Sequence, residues 1–151
     1  MATQPPLTLK GRALRLLGTR EYSRVELERK LAPYEEKVGD LAAALDALQA
    51  KGFINEQRVL ESVMHRRSAK FGTARIRHEL QGKGLAPEAV LEVVEQLRAT
   101  EVERAREVWR KKFGALSSDA GERAKQMRFL ANRGFGGDAI HRVVSGGFDD
   151  E

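Results

Sequence analysis

The chain has 151 residues, of which 41% are hydrophobic and 32% charged, with a mean hydropathy of −0.49. This composition is typical of a globular protein rather than a disordered or membrane-embedded one, since no apolar run approaches the roughly 20 residues that cross a bilayer. The absence of cysteine excludes disulfides and thiolate metal sites. Because the N-terminus has no signal-like segment, we expect a cytoplasmic protein.

The charge of the chain is modestly basic, with a net value of +5 and an isoelectric point near 9.7. Basic residues outnumber acidic ones along most of the chain, whereas Asp149, Asp150 and Glu151 make its last residues acidic. A positive body suits a polyanionic partner. Ordinary solubility charge is the alternative explanation.

Hydrophobic residues recur at helical spacing along the chain, and no stretch alternates like a β-strand. We expect residues 1–6 to be a disordered lead-in, because they contain two consecutive prolines. Residues 7–54 then predict three helices. The second of these begins with a capping box formed by Ser23 and Glu26, and it stops at Pro33.

Residues 55–100 predict three further helices. Asn55 is a favourable N-cap for the first, Gly84 lies where the second ends, and Pro87 suits the first turn of the third. This stretch therefore has the same three-helix organisation as the one before it.

Residues 101–146 predict the last three helices. Trp109 lies on the apolar face of the first helix, Asp119 has the position of an N-cap for the second, and Gly134 marks the end of that second helix. Residues 147–151 then form an acidic tail, which we expect to fray.

One hydrophobic pattern occurs three times and is anchored on Leu31, Leu80 and Leu130. Each anchor is followed by apolar residues ten and fourteen positions later, and Gly84 and Gly134 both come four positions after their anchors. Repetition at this spacing predicts copies of one helical unit. The predicted fold is therefore all-α, with three tandem three-helix repeats that form an elongated, curved array.

Basic residues concentrate in the second and third repeats, where they predict a phosphate-facing surface. They are Arg66, Arg67, Lys70, Arg75, Arg77, Lys83, Arg128 and Arg133. Two short helices joined by a turn also suggest a helix-turn-helix, but only Gln81 could read base edges, so we do not expect specific DNA recognition. Tyr22, Tyr34 and Trp109 are not interleaved with this basic cluster in the sequence, which argues against a stacking platform for single strands.

The sequence predicts no catalytic, metal or cofactor site. His65, His78 and His141 are scattered, and no phosphate-binding loop motif occurs. The carboxylates are explained as helix caps, dipole partners or i, i+4 pairs such as Arg75 with Glu79. We therefore interpret the chain as a binding protein and not as an enzyme.

Several motifs occur in the same order as in a known protein family. They are SRVEL at residues 23–27, KL at 30–31, FGTARIRHELQGKGL at 71–85 and FLANRGF at 129–135, with Asp138 and Ile140 behind it. In this order the motifs resemble those of the bacterial RecX family, over almost the whole chain. One departure is Val59-Leu60, where the family usually has an aromatic and a small residue.

The resemblance implies a regulator of the RecA recombinase. It implies that the protein lies in the groove of the RecA filament on single-stranded DNA and reduces recombinase, ATPase and co-protease activity. We expect a monomer with the RecA filament as partner, and single-stranded DNA contacted through the filament or weakly and directly.

A second function remains open from the residues alone. A basic helical-repeat protein could bind DNA without sequence preference and compete with other proteins for single strands. A filament regulator should act at amounts well below the recombinase, whereas a competitor must cover the DNA.

Overall fold

The computed structural model describes residues 7–147. Its α-helices are α1 (Leu9–Leu17), α2 (Arg24–Leu31), α3 (Asp40–Ala50), α4 (Glu56–Arg67), α5 (Thr73–Gly82), α6 (Pro87–Ala99), α7 (Glu101–Lys112), α8 (Ala120–Asn132) and α9 (Gly137–Ser145), and a 3₁₀ turn (Ala32–Tyr34) follows α2. Residues 7–147 contain no β-strand, so the all-α prediction is confirmed. The predicted lead-in at residues 1–6 and residues 148–151 of the predicted tail lie outside the described residues.

Backbone contacts group the chain into two compact units. Unit 1 comprises the described residues up to Ser62 together with Lys83–Leu85, and unit 2 comprises Val63–Gly82 and the described residues from Ala86 onward. The boundary between them falls within α4. The division into three repeats and their array shape stay predictions.

The helix starts follow from local side-chain chemistry. Ser23 and Glu26 form the predicted capping box, in which each side chain accepts from the other residue's backbone amide. The side chain of Asn55 accepts from the amide of Arg58 at 2.9 Å. Asp119 caps α8 in the same way, at 2.8 Å from the amide of Glu122. These caps satisfy amides that have no partner within their own helix.

The core of unit 1 lies among α1, α2 and α3, which contact one another pairwise. Its buried residues include Leu27, Leu31 and Leu45. Leu31 is only 3% exposed. Full burial of a leucine contributes about 1.5–3 kcal/mol, so this cluster accounts for much of the stability of the unit.

Unit 2 has a core among α7, α8 and α9 that includes Trp109, Leu130 and Val143. The indole N–H of Trp109 donates to the buried side chain of Gln126 at 2.8 Å. On α5, which packs against α6, Leu80 is fully buried. The buried indole is therefore provided with the polar partner it needs.

Each unit contains a glycine turn that packs tightly against another helix. Gly84, with φ of +67°, lies against Val25 in unit 1, and Gly134, with φ of +91°, lies against Arg75 in unit 2. A Cβ on Gly84 would be 2.3 Å from a methyl carbon of Val25, and one on Gly134 would be 2.5 Å from the Cβ of Arg75. Both the left-handed backbone and the close packing therefore require glycine at these turns.

Candidate functional site

The candidate site lies in unit 2, where the loop between α4 and α5 meets the turn between α8 and α9. The amide of Gly72 donates to the carbonyl oxygen of Arg133 at 2.7 Å, and the amide of Ala74 donates to that of Gly134 at 3.3 Å. A Cβ on Gly72 would lie 2.3 Å from the carbonyl group of Gly134. The two loops thus touch through their backbones, which brings basic residues from distant parts of the sequence together.

The centre of this surface is the ring of Phe71, which three guanidinium groups approach. The central carbon of Arg75 is 4.0 Å from the ring centroid, and those of Arg67 and Arg133 are each 5.4 Å away. These distances are in the range of cation–π attraction. We call Phe71, Arg67, Arg75 and Arg133 the Phe71 cluster.

A second aromatic ring continues the Phe71 cluster. Arg133 is also 5.0 Å from the ring centroid of Phe129, and the ammonium group of Lys112 is 5.6 Å from the same centroid. Phe113 contacts Phe129 edge to face at 5.4 Å. Cations and phenylalanines therefore alternate across this part of unit 2.

The expectation that no aromatic stacking platform accompanies the basic cluster considered Tyr22, Tyr34 and Trp109, and it left the phenylalanines out. Tyr22 and Tyr34 stack with arginines of unit 1 that are not among the predicted basic residues, Arg20 at 3.6 Å and Arg12 at 3.8 Å from the respective ring centroids. Phe71 and Phe129 are the rings that arginines of the predicted basic surface approach. The sequence carried one usable signal, since Phe71 directly follows Lys70.

Glu101 and Arg104 on α7 hold the two loops in place. One carboxylate oxygen of Glu101 accepts from the amide of Thr73 at 2.6 Å, and the other accepts from the amide of Gly136 at 3.1 Å. Glu101 therefore caps the starts of both α5 and α9. The sequence showed only a first-turn acid, because this role depends on residues far away in the chain.

The guanidinium of Arg104 satisfies the carbonyl groups of the α4–α5 loop. It donates to the carbonyl oxygen of Ser68 at 3.1 Å, to that of Phe71 at 2.7 Å and to the hydroxyl of Thr73 at 3.1 Å. Burial lowers the pKa of Arg104, and the nearby carboxylate of Glu101 offsets this only in part. Arg104 is thus a positioning residue beneath the Phe71 cluster.

The predicted pair of Arg75 with Glu79 is wrong. The carboxylate of Glu79 lies 3.0 Å from Arg67 and 3.9 Å from Arg66, both on α4. Arg75 instead stacks on Phe71 and donates to the carbonyl oxygen of Asn132 at 3.3 Å. Stacking on the ring turns the side chain of Arg75 away from the position four residues later.

The prediction that Lys83 belongs to the basic surface is also wrong. Lys83 is 8% exposed, and its ammonium group is 3.0 Å from the carboxylate of Glu26 in unit 1. Burial by itself would raise the pKa of Glu26. Hydrogen bonds from Arg20, from the backbone of Ser23 and from Lys83 outweigh burial and lower the pKa from 4.5 to about 2. Lys83 therefore stabilises the fold and is not part of an exposed basic surface.

The other predicted basic residues are at the surface of unit 2. Lys70, Arg77 and Arg128 are exposed, and Arg66 is exposed near the end of α4. Arg77 points into a different groove from the Phe71 cluster, together with His78 and Gln81. The structure thus brings Arg67, Arg75 and Arg133 into one group at the ring of Phe71.

Residues 7–147 provide neither a metal-binding cluster nor a membrane-spanning helix. Among residues 7–147, no set of three or more histidine, aspartate and glutamate side chains is arranged to hold a metal ion. None of the helices in that range has the length and apolar character needed to cross a membrane.

Solved structures share the fold. The structure matches "Crystal structure of regulatory protein RecX" with a TM-score of 0.72 at 17% identity, covering 91% of this chain and 71% of the other. It matches "Crystal structure of RecX from Lactobacillus salivarius" with a TM-score of 0.71 at 20% identity, covering 91% and 93% of the two chains. At such low identity these matches establish the fold.

Sequence relatives establish the family. A family model described as "RecX, third three-helix domain" matches residues 99–144. "Regulatory protein RecX" of Leptothrix cholodnii is 50% identical, with 95% of this chain and 91% of the relative covered. The protein of the same name from Herminiimonas arsenicoxydans is 49% identical, with 91% of each covered. With about half of its residues shared along nearly its full length, the chain belongs to the RecX family of regulatory proteins.

Proposed function

We propose that this protein regulates the RecA recombinase by binding in the groove of the RecA filament on single-stranded DNA. Binding there reduces the recombinase, ATPase and co-protease activities of the filament. Membership of the RecX family supports the regulatory role. The identity of the partner rests on the motif resemblance in residues 23–31, 71–85 and 129–140.

The observation that carries the proposal is the Phe71 cluster. A guanidinium stacked on an aromatic face keeps N–H donors at its rim, where they can meet carboxylate or phosphate oxygens. Stacking also limits the motion of Arg75 and Arg133, so less conformational entropy is lost when a partner binds. Such a surface suits a filament that presents both protein and phosphate groups.

The same cluster supports a second candidate function, namely nonspecific binding to single-stranded DNA in competition with the recombinase. Arginine and phenylalanine side chains together are common in single-strand sites, where they contact phosphates and stack on bases. The two functions differ in their target, which is the assembled filament in one case and free DNA in the other.

The deciding experiment titrates this protein into a RecA reaction that contains excess single-stranded DNA, with ATP hydrolysis as the readout. A filament regulator inhibits hydrolysis at amounts far below RecA, because each bound molecule perturbs subunits that are already assembled. A DNA competitor loses its effect when free strand is abundant. Inhibition that follows the fraction of DNA covered would overturn the filament proposal.

Two double variants test whether the Phe71 cluster is the surface that inhibits ATP hydrolysis. Replacing Lys70 and Arg75 by glutamate reverses two charges in and beside the Phe71 cluster, and we expect inhibition to weaken at least tenfold. The matched control replaces Arg123 and Lys125, two exposed residues of α8, by glutamate. Equal inhibition by both double variants, with unchanged thermal melting, would remove the cluster from the interface.

A further inference from the structure

A groove in unit 1 is lined by residues of α1, of α2 and of the 3₁₀ turn that follows α2. It has a volume of about 340 Å³, which is in the range of small-molecule sites. Its apolar lining comes from Leu7, Leu16, Leu31 and Tyr34. Leu31 is buried, whereas Leu7 and Tyr34 are 40% and 50% exposed. We call it the Tyr34 groove, because an aromatic ring at its edge is open to solvent.

Three basic side chains complete the lining of the Tyr34 groove. They are Arg12 and Arg15 from α1 and Lys30 from α2. Since Arg12 and Arg15 are three positions apart, they lie on the same face of their helix. No carboxylate of residues 7–147 lines this groove, so its positive charge is not neutralised locally. The groove therefore attracts an anion.

Two of the three basic groups have no partner in the described part of the chain. Arg15 and Lys30 are exposed, and among residues 7–147 neither side chain forms a hydrogen bond, an ion pair or a ring contact. Other arginines of unit 1 are paired, since Arg24 lies 2.7 Å from Asp46. The donors of Arg15 and Lys30 are therefore available to a ligand.

The third basic group, Arg12, is held against the ring of Tyr34. The central carbon of its guanidinium lies 3.8 Å from the ring centroid, within the range of cation–π attraction. A guanidinium stacked in this way keeps N–H donors at its edge, where phosphate oxygens can accept from them. Because half of Tyr34 is exposed, the ring also offers surface to a second flat group.

The charge of the surface changes sign beyond Tyr34. A neighbouring groove shares Leu7 and Tyr34 with this one, and its charged lining is Glu36 and Asp40 together with Lys10. The two carboxylates repel an anion that extends past Tyr34. The surface therefore favours a compact ligand with its negative charge at one end over a nucleic acid strand or an acidic peptide, which distribute charge along their length.

We propose that the Tyr34 groove binds a free nucleoside triphosphate, with the base on the ring of Tyr34 and the phosphates among Arg12, Arg15 and Lys30. A nucleobase is flat and stacks on aromatic side chains. A triphosphate concentrates several charges in one group, which three basic side chains can share. None of these residues belongs to the Phe71 cluster or to the basic surface predicted from the sequence, so the inference goes beyond the regulatory role and does not depend on it.

The test is isothermal titration of the full chain, without RecA and without divalent ions, with ATP, inorganic triphosphate and adenosine as ligands. We expect ATP to bind about tenfold more tightly than inorganic triphosphate, because only ATP has a base that can stack. Adenosine lacks the charge and should bind far more weakly than ATP. Equal affinities for ATP and inorganic triphosphate, or no binding of ATP, would overturn the proposal.

A double variant tests the phosphate ligands. Replacing Arg15 and Lys30 by glutamine should weaken ATP binding about tenfold or more, because two charge-assisted contacts are lost. The matched control replaces Lys37 and Lys51 by glutamine, two exposed lysines of unit 1 that do not line the groove. It removes the same charge and should change the affinity by less than about twofold, since solvent screens such charges. An equal loss in both double variants would mean that only net charge matters and would contradict the proposal.

Variants of Tyr34 test the position of the base. Tyr34→Leu keeps an apolar side chain without the ring, and it should weaken ATP binding about tenfold while leaving inorganic triphosphate binding unchanged. Tyr34→Phe keeps the ring and should bind ATP like the native protein. If Tyr34→Leu loses affinity equally for ATP and for inorganic triphosphate, the ring only positions Arg12 and the groove does not recognise a base.

Competition separates the nucleotide from other anions. We expect neither oligo(dT) nor a glutamate-rich peptide to displace ATP at equal concentration, because Glu36 and Asp40 repel an extended anion. Displacement by oligo(dT) would assign the groove to a strand. Displacement by the peptide would assign it to an acidic segment of a protein, and either result would overturn the nucleotide proposal.

Discussion

The backbone amide of Gly72 donates to the carbonyl oxygen of Arg133 at 2.7 Å, which joins two loops that are far apart in the sequence. This contact carries Arg133 to the ring of Phe71, where Arg75 already stacks. Since the arginines meet only because the loops dock, the Phe71 cluster depends on the backbone contact.

Replacing Gly72 by alanine should destabilise the fold by about 1–3 kcal/mol. The added Cβ would lie 2.3 Å from backbone atoms of Gly134, and backbone cannot move aside as a flexible side chain would. Chemical denaturation measures the loss. The control is Gly82→Ala on α5, where a Cβ would meet nothing within 4 Å, so that variant should be neutral or gain up to about 1 kcal/mol. Equal stabilities of the two variants would disprove close contact at Gly72.

Replacing Glu101 by alanine should cost about 2 kcal/mol or more, because the amides of Thr73 and Gly136 both lose their acceptor. Glu101→Gln keeps one acceptor oxygen and should fall between the alanine variant and the native protein. Glu103→Ala removes an exposed acid from the same helix and should change stability by less than about 0.5 kcal/mol. Similar melting of the Glu101 and Glu103 variants would contradict the double capping role.

Stability should decrease in acid because of Glu26. Its pKa is about 2 in the folded chain, below the ordinary 4.5, so the carboxylate stabilises the fold above pH 4.5 and loses this effect as the pH falls toward 2. After allowance for partial exposure to solvent, the contribution is about 2 kcal/mol. Denaturation at several pH values compares the native protein with Glu26→Gln, and the difference between them should shrink below pH 4.5.

Glu28 provides the control for that pH experiment. It is a more exposed acid on the same helix, 3.1 Å from Arg24, with 47% of its side chain accessible. Glu28→Gln should change stability by less than about 1 kcal/mol at neutral pH. If the free energy of unfolding depends on pH in the same way for the native protein and for Glu26→Gln, the contacts from Lys83 and Arg20 do not stabilise the carboxylate.

Replacing Leu80 by alanine should cost about 2–5 kcal/mol, because its side chain is fully buried on α5. Leu31 and Leu130, at 3% and 0% exposure, should behave alike. Leu91→Ala is the control, since Leu91 is 56% exposed on α6 and should cost less than about 0.5 kcal/mol. A loss at Leu80 as small as that at Leu91 would mean that the repeat anchors are misassigned.

The sequence by itself determined the helices, their caps and the burial of the anchor leucines. These features depend on residues within one or two turns of each other, as in the capping box of Ser23 with Glu26 and the burial of Leu31 and Leu80. Short-range periodicity and capping chemistry are therefore enough to predict them. The family resemblance could be found from the same local motifs.

Only the tertiary structure decided which basic residues act together. Lys83 and Arg75 both follow helical patterns in the sequence, yet Lys83 is buried against Glu26 and Arg75 stacks on Phe71. Their environments are set by contacts with distant segments, because each docked turn brings a remote backbone against a helix start. Side-chain charge is local information, whereas its burial, pairing and direction depend on what the fold places opposite it.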